Sequence, residues 1–207
     1  MSKILFYGDS ITDSNRNYDA PVGHFEQLGD GYVRNINVKL YKEFGNKHCV
    51  INKGVNGNRI DDLKRRLKSD VLNQKVDEVY IMIGINDVWR YYDTYIDSMH
   101  HIDIETYQQT YQEIIDILKK QKIEVTLISP FFLEINKEHP MRKQLDAYNE
   151  VVYHLSKTNK VGYIDVQTQM DKFLETNDSY MISGDRVHLN FLGNYLLSEM
   201  IYEGMKK

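Results

Sequence analysis

The chain has 207 residues and a formal net charge of −4, with 26 Lys and Arg interspersed among 30 Asp and Glu. That length suits one domain over residues 1–207, since domains commonly hold ~100–200 residues, and no linker-like stretch divides it. No basic stripe is present to grip a phosphate backbone, which sets nucleic acid aside as a partner, and no apolar run reaches the ~18 residues that cross a membrane.

At the N-terminus Met1-Ser2-Lys3 passes directly into an apolar segment, leaving no room for a charged region, apolar stretch and cleavage site. The single cysteine, Cys49, excludes an internal disulfide and fits a reducing compartment. A cytoplasmic protein with Cys49 as a buried structural thiol is the expectation, and oligomeric state is left open. Residues 4–7 form a strand-like run that stops at Gly8 and delivers Ser10 to a sharp turn, with Asp13 three residues on. Ser-x-x-Asp has the form of a capping box, which would put Ser10 where unpaired N–H groups converge. Residues 15–31, with Pro21 and Gly23, Gly29 and Gly31, form a long polar loop, and loops of this length are often functional.

Val33, Ile36, Leu40 and Phe44 fall at helical spacing and Gly45-Asn46 ends that helix. A second strand covers residues 48–52, a charged helix runs from Ile60 to about Leu72, and residues 78–83 make the cleanest strand. Residues 89–103 are aromatic and acidic without clear periodicity and suggest an insertion or short irregular helix over the mouth of a site. Ile104, Tyr107, Tyr111, Ile114, Ile115 and Leu118 mark one helix face, and residues 125–129 a fourth strand stopped by Pro130. A helix after Pro140 carries Leu145, Tyr148, Val152 and Leu155; residues 162–166 are a short fifth strand; a last helix after Asn190 presents Leu192, Tyr195, Leu196 and Met200 on one side. Five strands alternating with amphipathic helices predict an α/β protein: a three-layer α/β/α sandwich around a five-stranded parallel sheet. Ligands of such sheets bind beyond the carboxyl ends of the strands.

Four stretches lie at those ends or beside a helix start: Gly8-Asp9-Ser10, Asn52-Lys53-Gly54-Val55-Asn56-Gly57, Gly84-Ile85-Asn86-Asp87 and Gly184-Asp185-Arg186-Val187-His188. Together, and in this order, they resemble the four sequence blocks of the SGNH hydrolases, or GDSL esterases and lipases. The resemblance runs from residue 4 to about residue 200 and implies a flavodoxin-like SGNH fold. It implies further that Ser10 is the nucleophile, His188 the general base and later acid, and Asp185 the residue that orients the imidazole. The backbone N–H groups of Ser10 and Gly57 and the side-chain amide of Asn86 would form the oxyanion hole. Ester hydrolysis needs these parts: a nucleophile, a base, a group to hold the base, and donors for the tetrahedral oxyanion. Glycine at 57 allows close backbone approach, and Asn86 donates without carrying charge. Asp9, Asp87, Asn52 and Asn56 read as turn formers. Leu189 stands where many members of the family carry proline, and Ile11 replaces the leucine of the name motif.

The family chemistry implies no cofactor. No metal is implied either, because His100-His101, between Asp97 and Asp103, lack the spacing of a ligand set. Just beyond Asn86 lie Trp89, Arg90, Tyr91, Tyr92 and Tyr95. Their rings suit either stacking on sugar faces, which would make Trp89, Arg90 and Tyr91 substrate-binding residues, or packing against a helix or a second subunit. A serine esterase acting on a small-molecule substrate, a short-chain and most simply acetyl ester of a carbohydrate, is the expected function. A lysophospholipase or thioesterase of the same family and a non-catalytic carbohydrate-binding module are the alternatives.

Overall fold

The apolar run at the N-terminus becomes β1 (Ser2–Gly8), the strand from which the sheet grows in both directions. In the computed structural model of the protein, which describes residues 1–92 and 101–206, β1 is joined by β2 (His48–Gly54), β3 (Glu78–Met82), β4 (Glu124–Ile128) and β5 (Gly162–Ile164). They form one parallel sheet in the order β2-β1-β3-β4-β5. Ile4, Leu5, Phe6 and Tyr7 are all buried, as expected of a strand covered on both faces. The helices are α1 (Ser10–Asp13), α2 (Tyr32–Phe44), α3 (Ile60–Asp70), α4 (Ile85–Trp89), α5 (Ile104–Lys120), α6 (Pro140–Asn159), α7 (Val166–Leu174) and α8 (Phe191–Met205). α2, α7 and α8 pack together as one layer, while α3, α5 and α6 make the other.

Register fixes where the motifs meet. Gly8 pairs with Gly54 on one side and Met82 on the other, so the three adjacent strands β2, β1 and β3 end at one level. Ser10, Gly57 and Asn86 follow those ends. At Gly54 the requirement is space: a Cβ there would sit 2.1 Å from the Asp13 nitrogen, so α1 closes directly onto the end of β2.

Among the departures from the sequence expectation, three have a plain physical cause. The fifth strand ends at Ile164 because Asp165 caps α7, its Oδ1 accepting the Thr168 N–H at 2.9 Å. α8 buries Gly193, Leu197 and Ile201, leaving Leu192 and Tyr195 exposed. Its sequence is apolar on most sides, so periodicity does not single out a face, and the close seat of Gly193 against the Ile182 carbonyl sets the rotation. Phe44, on the expected core face of α2, is exposed at the helix end. Residues 93–100, including Tyr95, Asp97 and His100, lie outside the described residues, so most of the expected insertion at 89–103 does too.

Asn52 is not a surface turn residue. Fully buried on β2, it donates from Nδ2 to the carbonyls of Thr12 (2.6 Å), Leu28 (2.9 Å) and Asp13 (3.3 Å), and its Oδ1 accepts the Gly54 N–H. It thereby ties α1 and the 15–31 loop to the sheet. Asn52→Ala leaves several buried backbone groups unpaired at ~1–3 kcal/mol each. The melting temperature is expected to fall by roughly 10 °C, given ~2–4 °C per kcal/mol for a chain of this size. Thermal unfolding followed by circular dichroism checks this; an unchanged midpoint would mean the bonds are replaced by solvent.

Candidate active site

Ser10 is the first residue of α1 rather than its cap. The N-cap is Asp9, whose Oδ1 accepts the Ile11 N–H at 3.0 Å. Asp13 does not reach back to Ser10; its Oδ1 takes the Asn15 N–H and its other oxygen the Tyr18 hydroxyl. The short helix turns the Ser10 hydroxyl out over the sheet edge, where Oγ lies 2.9 Å from His188 Nε2.

His188 and Asp185 come from the loop before α8. Imidazole Nδ1 lies 2.7 Å from Asp185 Oδ2. The other carboxylate oxygen, Oδ1, accepts the N–H groups of His188 (2.7 Å) and Val187 (2.9 Å) and the Ser183 hydroxyl (3.1 Å). One oxygen is thus spent on fixing the carboxylate and the other faces the imidazole. Burial alone would raise the Asp185 carboxyl, but the bond to His188 and the two backbone donors outweigh it and hold it at about 2. The tight loop depends on Arg186, which adopts a left-handed φ of 69°. Its carbonyl accepts the Leu133 N–H, its guanidinium pairs with Glu134 and stacks over Phe132. A non-glycine residue in that conformation costs ~1–3 kcal/mol and persists because its surroundings hold it.

Asn86, on α4, is 6% exposed and lines the same cleft; its Nδ2 donates one hydrogen to the Asn58 carbonyl at 3.0 Å, which orients the amide. Gly57, in the turn after β2, also lines it. Its φ is +75°, and an added Cβ would meet only Arg90 Nη2 at 3.4 Å, so backbone conformation rather than crowding calls for glycine here. Arg66 of α3 holds these turns in place. Its guanidinium donates to the carbonyls of Gly8 and Lys53 and to Asn58 Oδ1 while stacking on the Tyr7 ring. Nothing in the charged pattern of that helix distinguishes Arg66 from its neighbours.

The aromatic segment divides. Arg90 lines the cleft of about 620 Å³ that holds Ser10, His188, Asn86 and Gly57. Trp89 is half-buried with its ring 5.9 Å from that of His188, and it borders a second cleft with Asp185, Phe132 and His139. Tyr91 donates its hydroxyl to the Ile102 carbonyl and packs against His101. Cys49 is half-buried against the core.

Two carboxyls beneath the site are fully enclosed. Burial raises Asp9 to about 7, opposed by the Ile11 N–H and by His188. Burial likewise raises Asp87 to about 7, opposed by the Ile60 N–H and Arg59. Asp87 is no local turn former: its Oδ1 accepts the Ile60 N–H at 3.1 Å, joining α4 to the start of α3, and its Oδ2 is buried without a partner among the described residues. A folded-state carboxyl above its ordinary 3.8 holds a proton that the unfolded chain releases, so stability falls as pH rises from about 4 to about 7 and then levels off. Asp87→Asn removes that loss. Its melting temperature relative to wild type should climb across this window by ~5 °C or more and plateau above it. A difference independent of pH would show that Asp87 is ionised in the fold.

The model of the GDSL-like Lipase/Acylhydrolase family matches residues 6–196. An acetylxylan esterase of Geobacillus stearothermophilus is 38% identical over 95% of this chain and 90% of its own. The crystal structure of Axe2, an acetylxylan esterase of that organism, superposes with a TM-score of 0.93 at 36% identity, covering 100% of this chain and 94% of its own. LAE5, an α/β hydrolase from the metagenome of Lake Arreo, Spain, gives 0.95 at 31% identity over 99% and 95%. Among the structures of Axe2 are catalytic mutants in which a serine, a histidine and an aspartate are each replaced by alanine. With the match running through nearly the whole chain, and a serine, an imidazole and a carboxylate in hydrogen-bonded sequence at the sheet edge, the chain belongs to the GDSL-like lipase/acylhydrolase family and is a carboxylic ester hydrolase.

Proposed function

We propose that the protein hydrolyses acetyl esters of carbohydrates through an acyl-enzyme on Ser10. The observation that carries this is the relay from Ser10 Oγ through both nitrogens of His188 to Asp185, set in a cleft whose lining residues are mostly polar. His188 Nε2 takes the Ser10 proton as Oγ bonds to the ester carbonyl carbon, and Asp185 stabilises the imidazolium. The backbone N–H groups of Ser10 and Gly57 and the Asn86 amide receive the oxyanion. On collapse the alkoxide leaves with the proton from Nε2. Water then gives its proton to Nε2, attacks the acetyl-serine, and acetate departs as Oγ is reprotonated.

Ile11, Leu189 and Phe191 are the large apolar side chains among the cleft-lining residues, and they form no run long enough to sheathe an extended acyl chain. That favours a short acyl group and a polar alcohol, as the names of the acetylxylan esterase relatives would also suggest. Arg90, facing the cleft, contacts substrate, whereas Trp89 bears on the imidazole. The test is a substrate panel: p-nitrophenyl esters from acetyl to dodecanoyl, acetylated xylo-oligosaccharides, a lysophospholipid and an acyl thioester. Acetate release from the oligosaccharides and a rate that falls with chain length are expected. Faster cleavage of octanoyl and longer esters, or of the lysophospholipid, would replace this assignment with the lysophospholipase one.

A further inference from the structure

Hydrolysis of a sugar acetate needs a surface for the pyranose beside the reacting atoms, commonly an aromatic face flanked by hydroxyl-binding groups. Trp89 does not offer one to the main cleft, since it lies beside His188 and lines the neighbouring cleft instead. Phe191 does line the main cleft, and it is 80% exposed although it opens a helix whose inner face is buried from Gly193 onward. Its mount is rigid. Asn190 caps α8 through Oδ1 to the Gly193 N–H and donates Nδ2 to the Met181 carbonyl. Asn194 accepts the Tyr32 N–H and donates to the carbonyls of Leu189 and Asn190. These two amides are therefore committed to backbone, and they fix the main chain that carries the ring, three residues from the base.

The 15–31 loop lines the same cleft and supplies polar ends of a different kind. Asp30 gives Oδ1 to Arg34 at 3.1 Å, yet its side chain remains 68% exposed, with Oδ2 available to accept hydroxyl donors. Asn15 is held at a left-handed φ of 63° with its N–H on Asp13 Oδ1, and its exposed amide also lines the cleft. A carboxylate that only accepts, an amide that does both, and an exposed ring on an anchored helix start make a set suited to a neutral polyol.

Resting on the acetyl-carbohydrate assignment, we propose that Phe191 is the stacking face for the pyranose of the leaving alcohol, with Asp30 and Asn15 binding its hydroxyls. The two readouts are kcat/KM for an O-acetylated methyl xyloside and for ethyl acetate, whose alcohol is too small to reach the ring. Phe191→Ala should lower the ratio of the first to the second about tenfold, through KM, and Phe191→Tyr should restore it. Asp30→Ala should lower the same ratio severalfold. Trp89→Ala, acting through His188, should lower both values in proportion. A Phe191→Ala ratio within about twofold of wild type, whether or not the oligomeric state changes, overturns the proposal. If wild type cleaves ethyl acetate but not the xyloside, the carbohydrate assignment itself has failed, and this subsite with it.

Discussion

Ser10→Ala is expected to lower ester turnover by at least about three orders of magnitude, and His188→Ala by a similar factor, with the double variant no worse than either single one. The two groups act as a unit: Oγ is a poor nucleophile until Nε2, 2.9 Å away, takes its proton, and Nε2 has no task in acylation without the hydroxyl. Neither substitution touches the core, because Ser10 is half-buried at the rim and the His188 side chain is about half exposed. Far-ultraviolet circular dichroism should therefore match wild type. Steady-state assays on p-nitrophenyl acetate decide it; a Ser10→Ala protein keeping more than a small fraction of wild-type turnover would rule out a covalent serine route.

Asn86→Ala should lower kcat by roughly a hundred- to a thousandfold, the usual cost of one oxyanion donor, with little change in KM. The amide is held by its bond to the Asn58 carbonyl, which leaves its second hydrogen for the substrate oxygen in the proposed mechanism. A weaker KM at unchanged kcat would make Asn86 a ground-state binding residue. The same substitution leaves the Asn58 carbonyl without its donor, and so Asn86→Asp serves as the companion: it keeps the shape, places negative charge opposite the oxyanion, and should be at least as damaging to kcat.

What could be read from the sequence is what depends on neighbours in the chain. The runs at residues 4–7 and 78–83 declared themselves strands through continuous apolar character, and α5 through the spacing of Tyr107, Tyr111, Ile114 and Leu118, all of which are buried. The alternation of strands and helices dictated a parallel sheet, and with it the edge where Ser10, Gly57 and Asn86 had to lie. Asp185 and His188, three residues apart, could be read as neighbours in a turn, and their catalytic pairing came only from the resemblance carried by all four blocks.

Tertiary structure decided whatever depends on residues distant in sequence. Asn52 resembles a turn residue until Thr12, Asp13 and Leu28 are brought above it, and Asp87 until Ile60 is. Arg66 looks like any charge on a polar helix before the ends of β1 and β2 and the turn at Asn58 converge on its guanidinium. The face of α8 and the division of Trp89, Arg90 and Tyr91 among two clefts and a packed contact were likewise settled by neighbours from other elements. Periodicity reports which side chains prefer to leave water. Which atoms they then meet is set by close packing, where a shift of a few tenths of an ångström separates a contact from a clash.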